Sequence, residues 1–284
     1  MKITERLNVL RELMKEKKID AYLVPTDDFH GSEYVGDYFK CRKYITGFTG
    51  SAGTAVIMQD MAGLWTDGRY FIQAADQLRG STIELFRSGE PGVPTVHQFL
   101  AEKLEKSMCL GFDGRTVSAK EAEELEKLLE EKNITFAVNE DLIGEIWRER
   151  PALSCEPVME LSEKWAGRSR ADKIREIRSK LKEKGADLFI LTSLDDIAWL
   201  LNIRGNDIDY VPVVLSYLVL NETECIWFLQ EEVVDDKIRA YLEENHITTK
   251  PYDAIYDYVP EIPADTVVLM NRGTVNYRIV NSLD

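Results

Sequence analysis

Leu7, Leu10, Leu13 and Met14 recur at intervals of three and four behind Thr4, which predicts an amphipathic helix capped at Thr4 and ending near Lys18. The run Ala21-Tyr22-Leu23-Val24 stops at Pro25, as a buried strand would. Thr54-Ala55-Val56-Ile57-Met58 and Gly63-Leu64-Trp65 read as successive strands that deliver the chain to Asp67-Gly68. From Arg69 to Leu78 the pattern turns helical, with Phe71, Ile72 and Ala75 on one side, and a further helix is expected from Thr95 to Lys106. Ser118-Ala119-Lys120-Glu121 has the spacing of a capping box, followed by an apolar face of Leu125, Leu128 and Leu129. Thr135-Phe136-Ala137-Val138 closes this first unit as a strand. Pro151 and Pro157 then punctuate a stretch of mixed charge, which places the boundary near residue 160 and gives domains 1–160 and 161–284.

The second unit opens like the first. At one fixed offset Lys15-Glu16-Lys17 falls on Lys182-Glu183-Lys184, Leu7, Leu10 and Met14 fall on Ile174, Ile177 and Leu181, and Tyr22-Leu23-Val24 falls on Phe189-Ile190-Leu191. Leu64-Trp65 ahead of one helix also resembles Ile226-Trp227 ahead of a helix expected over Glu231 to Glu244. The agreement suggests duplication. Helices alternating with short apolar runs favour α/β layers, so two such domains in tandem are expected.

Composition narrows the partners. With 284 residues and 44% hydrophobic content the chain is long enough for two cores, and its formal charge of -15 repels nucleic acid and anionic lipid surfaces. No stretch approaches the ~20 apolar residues of a spanning helix, and the amino terminus leads into an amphipathic helix rather than a signal region, so a cytoplasmic protein without a membrane partner is expected. Cys41, Cys109, Cys155 and Cys225 are too scattered for a zinc site or a disulfide scaffold and are expected as reduced, mostly buried thiols.

His30, His97 and His246 lie far apart in sequence, with no His-Glu-x-x-His, so no locally encoded metal site is expected. Gly47-Phe48-Thr49-Gly50-Ser51-Ala52-Gly53 fits no phosphate-loop or nucleophile-elbow pattern and precedes a strand, so it reads as a tight turn. His30, in the polar cluster Asp27-Asp28-Phe29-His30-Gly31, is either a solvated loop histidine or part of a functional loop. Arg69 beside Asp67-Gly68 either pairs with Asp67 or reaches a carboxylate on a ligand. Arg204 and Asp207, around the turn glycine Gly205, either line an interface or face water, and the acidic run Glu121 to Glu131 reads as a solvated helix face.

Three segments of the first unit resemble Xaa-Pro aminopeptidases, the aminopeptidase P family: His30-Gly31-Ser32-Glu33-Tyr34, Gly47 through Ala55, and Leu64-Trp65-Thr66-Asp67-Gly68-Arg69-Tyr70-Phe71. In the second unit the resemblance rests on Leu194 through Asp207 and on Pro212-Val213-Val214-Leu215-Ser216-Tyr217. It implies the first two domains of a three-domain enzyme, each similar to the creatinase amino-terminal fold, a mixed sheet flanked by helices. The third, pita-bread domain of that family holds two divalent metal ions, usually manganese, through two Asp, one His and two Glu, and cleaves the bond before proline. On this resemblance the present chain carries no cofactor, metal ligand or catalytic base and is inactive alone. Its partners would be its own C-terminal pita-bread domain and a proline-containing peptide, with a homodimer only in the complete protein. The resemblance further suggests that Arg69 and His30 face the substrate channel and that Arg204 and Asp207 face the third domain. Alternatives are a noncatalytic peptide-binding module of the same fold, a two-lobed small-molecule binder, and creatinase or prolidase parentage.

Overall fold

The computed structural model describes residues 1–283. It resolves into two compact units, one of residues 1–28 and 37–152, the other of residues 29–36 together with Leu153 onward.

The first unit holds a six-stranded sheet: β1 (Ala21–Val24), β2 (Thr54–Met58), β3 (Ala62–Thr66), β4 (Glu84–Arg87), β5 (Cys109–Gly111) and β6 (Thr135–Ala137). The order is β4-β3-β2-β1-β5-β6. β1 pairs antiparallel with β2 and β2 with β3, whereas β3–β4, β1–β5 and β5–β6 are parallel. All four residues of β1 and all five of β3 are buried, as expected where both sheet faces are covered, which is why these strands read as unbroken apolar runs. The helix Ile3–Glu16 sets Leu7, Leu10 and Met14 against Tyr22, Ile57 and Leu64. Each such side chain contributes about 1.5–3 kcal/mol on burial.

The second unit repeats this plan. β8 (Leu188–Leu191), β10 (Ser216–Asn221), β11 (Cys225–Leu229), β12 (Thr248–Pro251) and β13 (Val268–Leu269) form a sheet of order β12-β11-β10-β8-β13. The pairs β8–β10 and β10–β11 are antiparallel, and β11–β12 and β8–β13 parallel. Strand for strand this repeats the senses of β1, β2, β3, β4 and β5, so the duplication read from the sequence extends to the topology. Trp227 and Leu229 centre a core that also takes Ile174, Ile197 and Tyr241.

The chain passes back into the second unit at Leu153, where Val158 joins its core and β7 (Met159–Glu160) pairs with β9 (Ile203–Arg204). Several local expectations are corrected. The first helix starts at Ile3, with Glu5 reaching back to the Lys2 amide at 2.9 Å, so Thr4 lies inside it. The helix after Arg69 runs Phe71–Gln77 and buries Ala74, leaving Ile72 90% exposed. Leu128 is likewise exposed, while Leu125 and Leu129 are buried. The expected helix over Glu231 to Glu244 is two pieces, a 3-10 turn Glu231–Val233 and a helix Asp236–Glu244, separated where Val233 O accepts from Val158 N and Asp235 caps the second piece. Of the cysteines, Cys41 and Cys225 are buried, Cys109 is half-buried and Cys155 exposed. Burial pushes both buried thiols up to about 12. Ser118 caps the helix Ala119–Leu129 as expected, by accepting from Glu121 N.

Candidate functional site

At one end of the first sheet, where β1 and β3 finish and β2 begins, the glycine-rich loop meets the Asp67–Tyr70 turn. Thr26, just past β1, donates its amide and hydroxyl to Gly53 O at 3.0 and 2.6 Å. Thr66, closing β3, donates its hydroxyl to Ala52 O at 2.7 Å. Gly47, at φ +76, ends the helix Cys41–Thr46 in the left-handed region that favours glycine. A Cβ on Gly50 would lie 2.2 Å from the Phe48 ring, so no larger residue fits the unshifted loop.

Beneath the loop lies Arg42, 3% exposed. It donates Nη1 to Phe48 O at 2.6 Å, Nη2 to Gly50 O, and Nε to Thr26 Oγ1 at 2.9 Å. Burial pulls its ionisation down to about 10, which still leaves it cationic at neutral pH. The sequence reading missed this residue; its only signal is an arginine one helical turn ahead of the glycine run.

Above the loop, Tyr70 Oη and Ser51 Oγ are 2.7 Å apart, and Gln73 and Gln77 donate to Thr49 Oγ1 at 2.9 and 2.8 Å. Arg69 grips Asp67 with Nε and Nη2, both at 2.8 Å, while its side chain stays 69% exposed. Its guanidinium holds the Asp67 carboxyl down at about 2. Both readings of Arg69 are therefore compatible in one side chain. One edge of the fork is spent on Asp67, and the other edge can still donate to a carboxylate or carbonyl. The cluster pairs Ser51 with a tyrosine rather than with a base, so it is equipped for binding rather than for nucleophilic attack.

Asp27, at the exit of β1, has its carboxyl raised to about 8, chiefly by burial and then by Asp28. A carboxyl raised on folding stabilises the protonated form, so its contribution falls as pH rises from the ordinary carboxylate range towards about 8. Thermal melts should accordingly show that Asp27→Asn flattens the decline in melting temperature between these limits; an unchanged pH profile would refute this.

The other sequence candidates sit in the second unit. His30 is 1% exposed, with Nδ1 2.9 Å from Thr192 O and Nε2 2.7 Å from Tyr252 Oη. A carbonyl can only accept, so Nδ1 carries a proton and donates it to Thr192 O. Its ring lies 4.5 Å from that of Tyr217. His30 is thus not a solvated loop residue but a packed side chain, because residues 29–36 fold into the second unit. Asp207 is also buried, and accepts from Ser154 Oγ at 2.7 Å, Glu156 N at 3.0 Å and Leu215 N at 2.8 Å. Arg204 donates to Ile203 O at 2.6 Å and Ala198 O at 3.1 Å. These two do not pair with one another among the described residues; Asp207 in particular is spent on its own unit.

Among the described residues no three His, Cys, Asp or Glu side chains are grouped to hold a metal ion. His30 is committed to Thr192 and Tyr252, and His97 lies by Glu121 at 3.8 Å. No helix among the described residues is long and apolar enough to cross a membrane.

Residues 6–145 and 149–284 each match the family described as the Creatinase/Prolidase N-terminal domain. A probable Xaa-Pro aminopeptidase P of Laccaria bicolor is 40% identical over 98% of this chain and 46% of its own length. Aminopeptidase P2 of Arabidopsis thaliana is 37% identical over 99% of this chain and 40% of its own. Among solved structures, the X-prolyl aminopeptidase of Caenorhabditis elegans, described as a cytosolic enzyme with a di-nuclear active site, superposes with a TM-score of 0.93 at 32% identity. It covers 100% of this chain, which in turn covers 49% of it. The chain thus spans less than half the length of these relatives.

Proposed function

Since the chain belongs to the creatinase/prolidase N-terminal domain family and carries two such domains in tandem, we propose that it is the amino-terminal portion of a cytoplasmic, metal-dependent Xaa-Pro aminopeptidase. The observation that carries this reading is the agreement with the nematode enzyme over all of this chain at a TM-score of 0.93. The complete protein releases the residue ahead of proline from a peptide's amino terminus. The two domains here supply walls of the substrate channel, while two metal ions, manganese by preference, and the catalytic base belong to residues outside them. A proline imide lacks an N–H and bends the chain, so a peptidase that accepts it gains from such dedicated walls. Within the first domain, the exposed edge of Arg69 is the side chain that reaches the peptide, and Arg204 is the residue of the second domain that meets the catalytic portion.

The test is hydrolysis by the complete gene product. Xaa-Pro peptides should lose their first residue and Xaa-Ala controls should not; absence of Xaa-Pro hydrolysis would refute the reading. In the same protein Arg69→Ala should lower kcat/KM by about tenfold on peptides longer than three residues, as expected for one lost charge-assisted hydrogen bond, and less on shorter ones. Unchanged kinetics on long peptides would remove Arg69 from the channel.

A further inference from the structure

The helices Ile3–Glu16, Cys41–Thr46 and Leu142–Ile146 of the first unit pack on one another, and a cleft of about 620 Å³ opens at their ends. Its walls carry Arg6, Lys40, Lys43 and Arg148 against only Asp37 and Glu149. Lys40 is tied to Asp37. Lys43 and Arg148 are exposed and have no carboxylate within ion-pair distance among the described residues. This cationic excess stands in a chain of net charge -15, whose overall field repels anions. Anion capture here has to come from the cleft itself.

Arg6 donates Nη1 to Tyr44 O at 2.5 Å and lies 4.2 Å over the Tyr44 ring, so its charge is fixed in the wall. Trp147 stacks on the same tyrosine at 4.6 Å. The Tyr44 ring is therefore already occupied, by Arg6 and by Trp147, and what the wall adds beside it is charge. Four cations delivered from three separate segments suit one multiply charged anion better than a single carboxylate, since each can meet a different oxygen.

We infer that this cleft binds an oligophosphate, either inorganic or as the phosphate chain of a nucleotide. With Tyr44 occupied, a nucleobase gains no stacking contact on that ring.

The 284-residue chain is titrated with tripolyphosphate, with binding read by calorimetry and by the fluorescence of Trp147 in the wall. Saturable one-to-one binding is expected. The double variant Lys43→Ala, Arg148→Ala should weaken it by about tenfold or more, the scale of lost charge-assisted hydrogen bonds, whereas Lys127→Ala with Lys184→Ala, which removes the same charge elsewhere, should leave it unchanged. Melting curves confirm that the variants fold. ATP should bind no more tightly than tripolyphosphate, and citrate more weakly. No saturable binding, or equal weakening by both double variants, would overturn the site. Citrate binding as tightly as tripolyphosphate, or ATP binding far more tightly, would overturn the assigned chemistry.

Discussion

Asp141→Ala should destabilise the first unit by roughly 3–5 kcal/mol, a large part of the about 5–15 kcal/mol that holds a typical domain. The Asp141 carboxylate accepts from Arg150 Nη1 at 2.6 Å, Arg115 Nη2 at 3.2 Å and the Gly144 amide at 2.8 Å, the last as cap of the helix Leu142–Ile146. Both arginine side chains are nearly out of solvent, 15% exposed for Arg115 and 10% for Arg150. Arg115 would keep Asp113, but Arg150 would be left with the Tyr38 carbonyl, the Tyr38 ring and the Cys41 thiol, none of which carries compensating charge. Asp141→Asn, which retains the cap, should lose less. Gly144→Ala tests the same packing, because a Cβ there would meet the Asp141 carboxylate at 2.5 Å. Urea denaturation reads all three, and a loss below about 1 kcal/mol for Asp141→Ala would mean the ion network contributes little.

Arg42→Met should cost about 3 kcal/mol or more and loosen the candidate site. Methionine fills most of the volume but leaves Phe48 O and Gly50 O without their donor, and each buried carbonyl stranded in this way costs about 1–3 kcal/mol. Arg42→Lys should not restore the site, since one ammonium cannot span the three acceptors that the planar fork reaches. Hydrogen exchange should show lost protection confined to the loop 47–53 and the turn 67–70. If the variant keeps wild-type protection there, Arg42 does not organise the loop.

The parts of this fold that were legible in the sequence are those governed by burial on both faces. β1, β2 and β3 announce themselves as apolar runs, and the helix register of Leu7, Leu10 and Met14 follows from their spacing. The Gly47 to Gly53 turn was legible because glycine is needed where the backbone turns left-handed and rings crowd Gly50. What escaped are polar residues whose role depends on distant carbonyls. Lys173 reads as a surface residue, yet it is buried, with its ammonium on Trp199 O and Asn202 Oδ1 at 2.8 and 2.6 Å, closing the end of the helix Leu194–Leu201. Arg42 escaped because its partners are loop carbonyls and a threonine hydroxyl, and Asp141 because its arginine partners, Arg115 and Arg150, meet it only in the fold. The burial of His30 was not legible because its partners, Thr192 and Tyr252, lie far along the chain, and nothing local in residues 29–36 says that they join the second unit. Ile72 shows the converse: periodicity sets it beside Phe71 and Ala75, yet it is exposed, and Ala74 is the residue the helix buries.

The proposal that these two domains shape and gate a catalytic centre housed elsewhere in the protein is tested by purifying the 284-residue chain, loading it with manganese and incubating it with an Xaa-Pro peptide beside the complete gene product. The complete protein should release the first residue and the shorter chain should release none. Hydrolysis by the shorter chain, at a rate that follows its concentration, would contradict it.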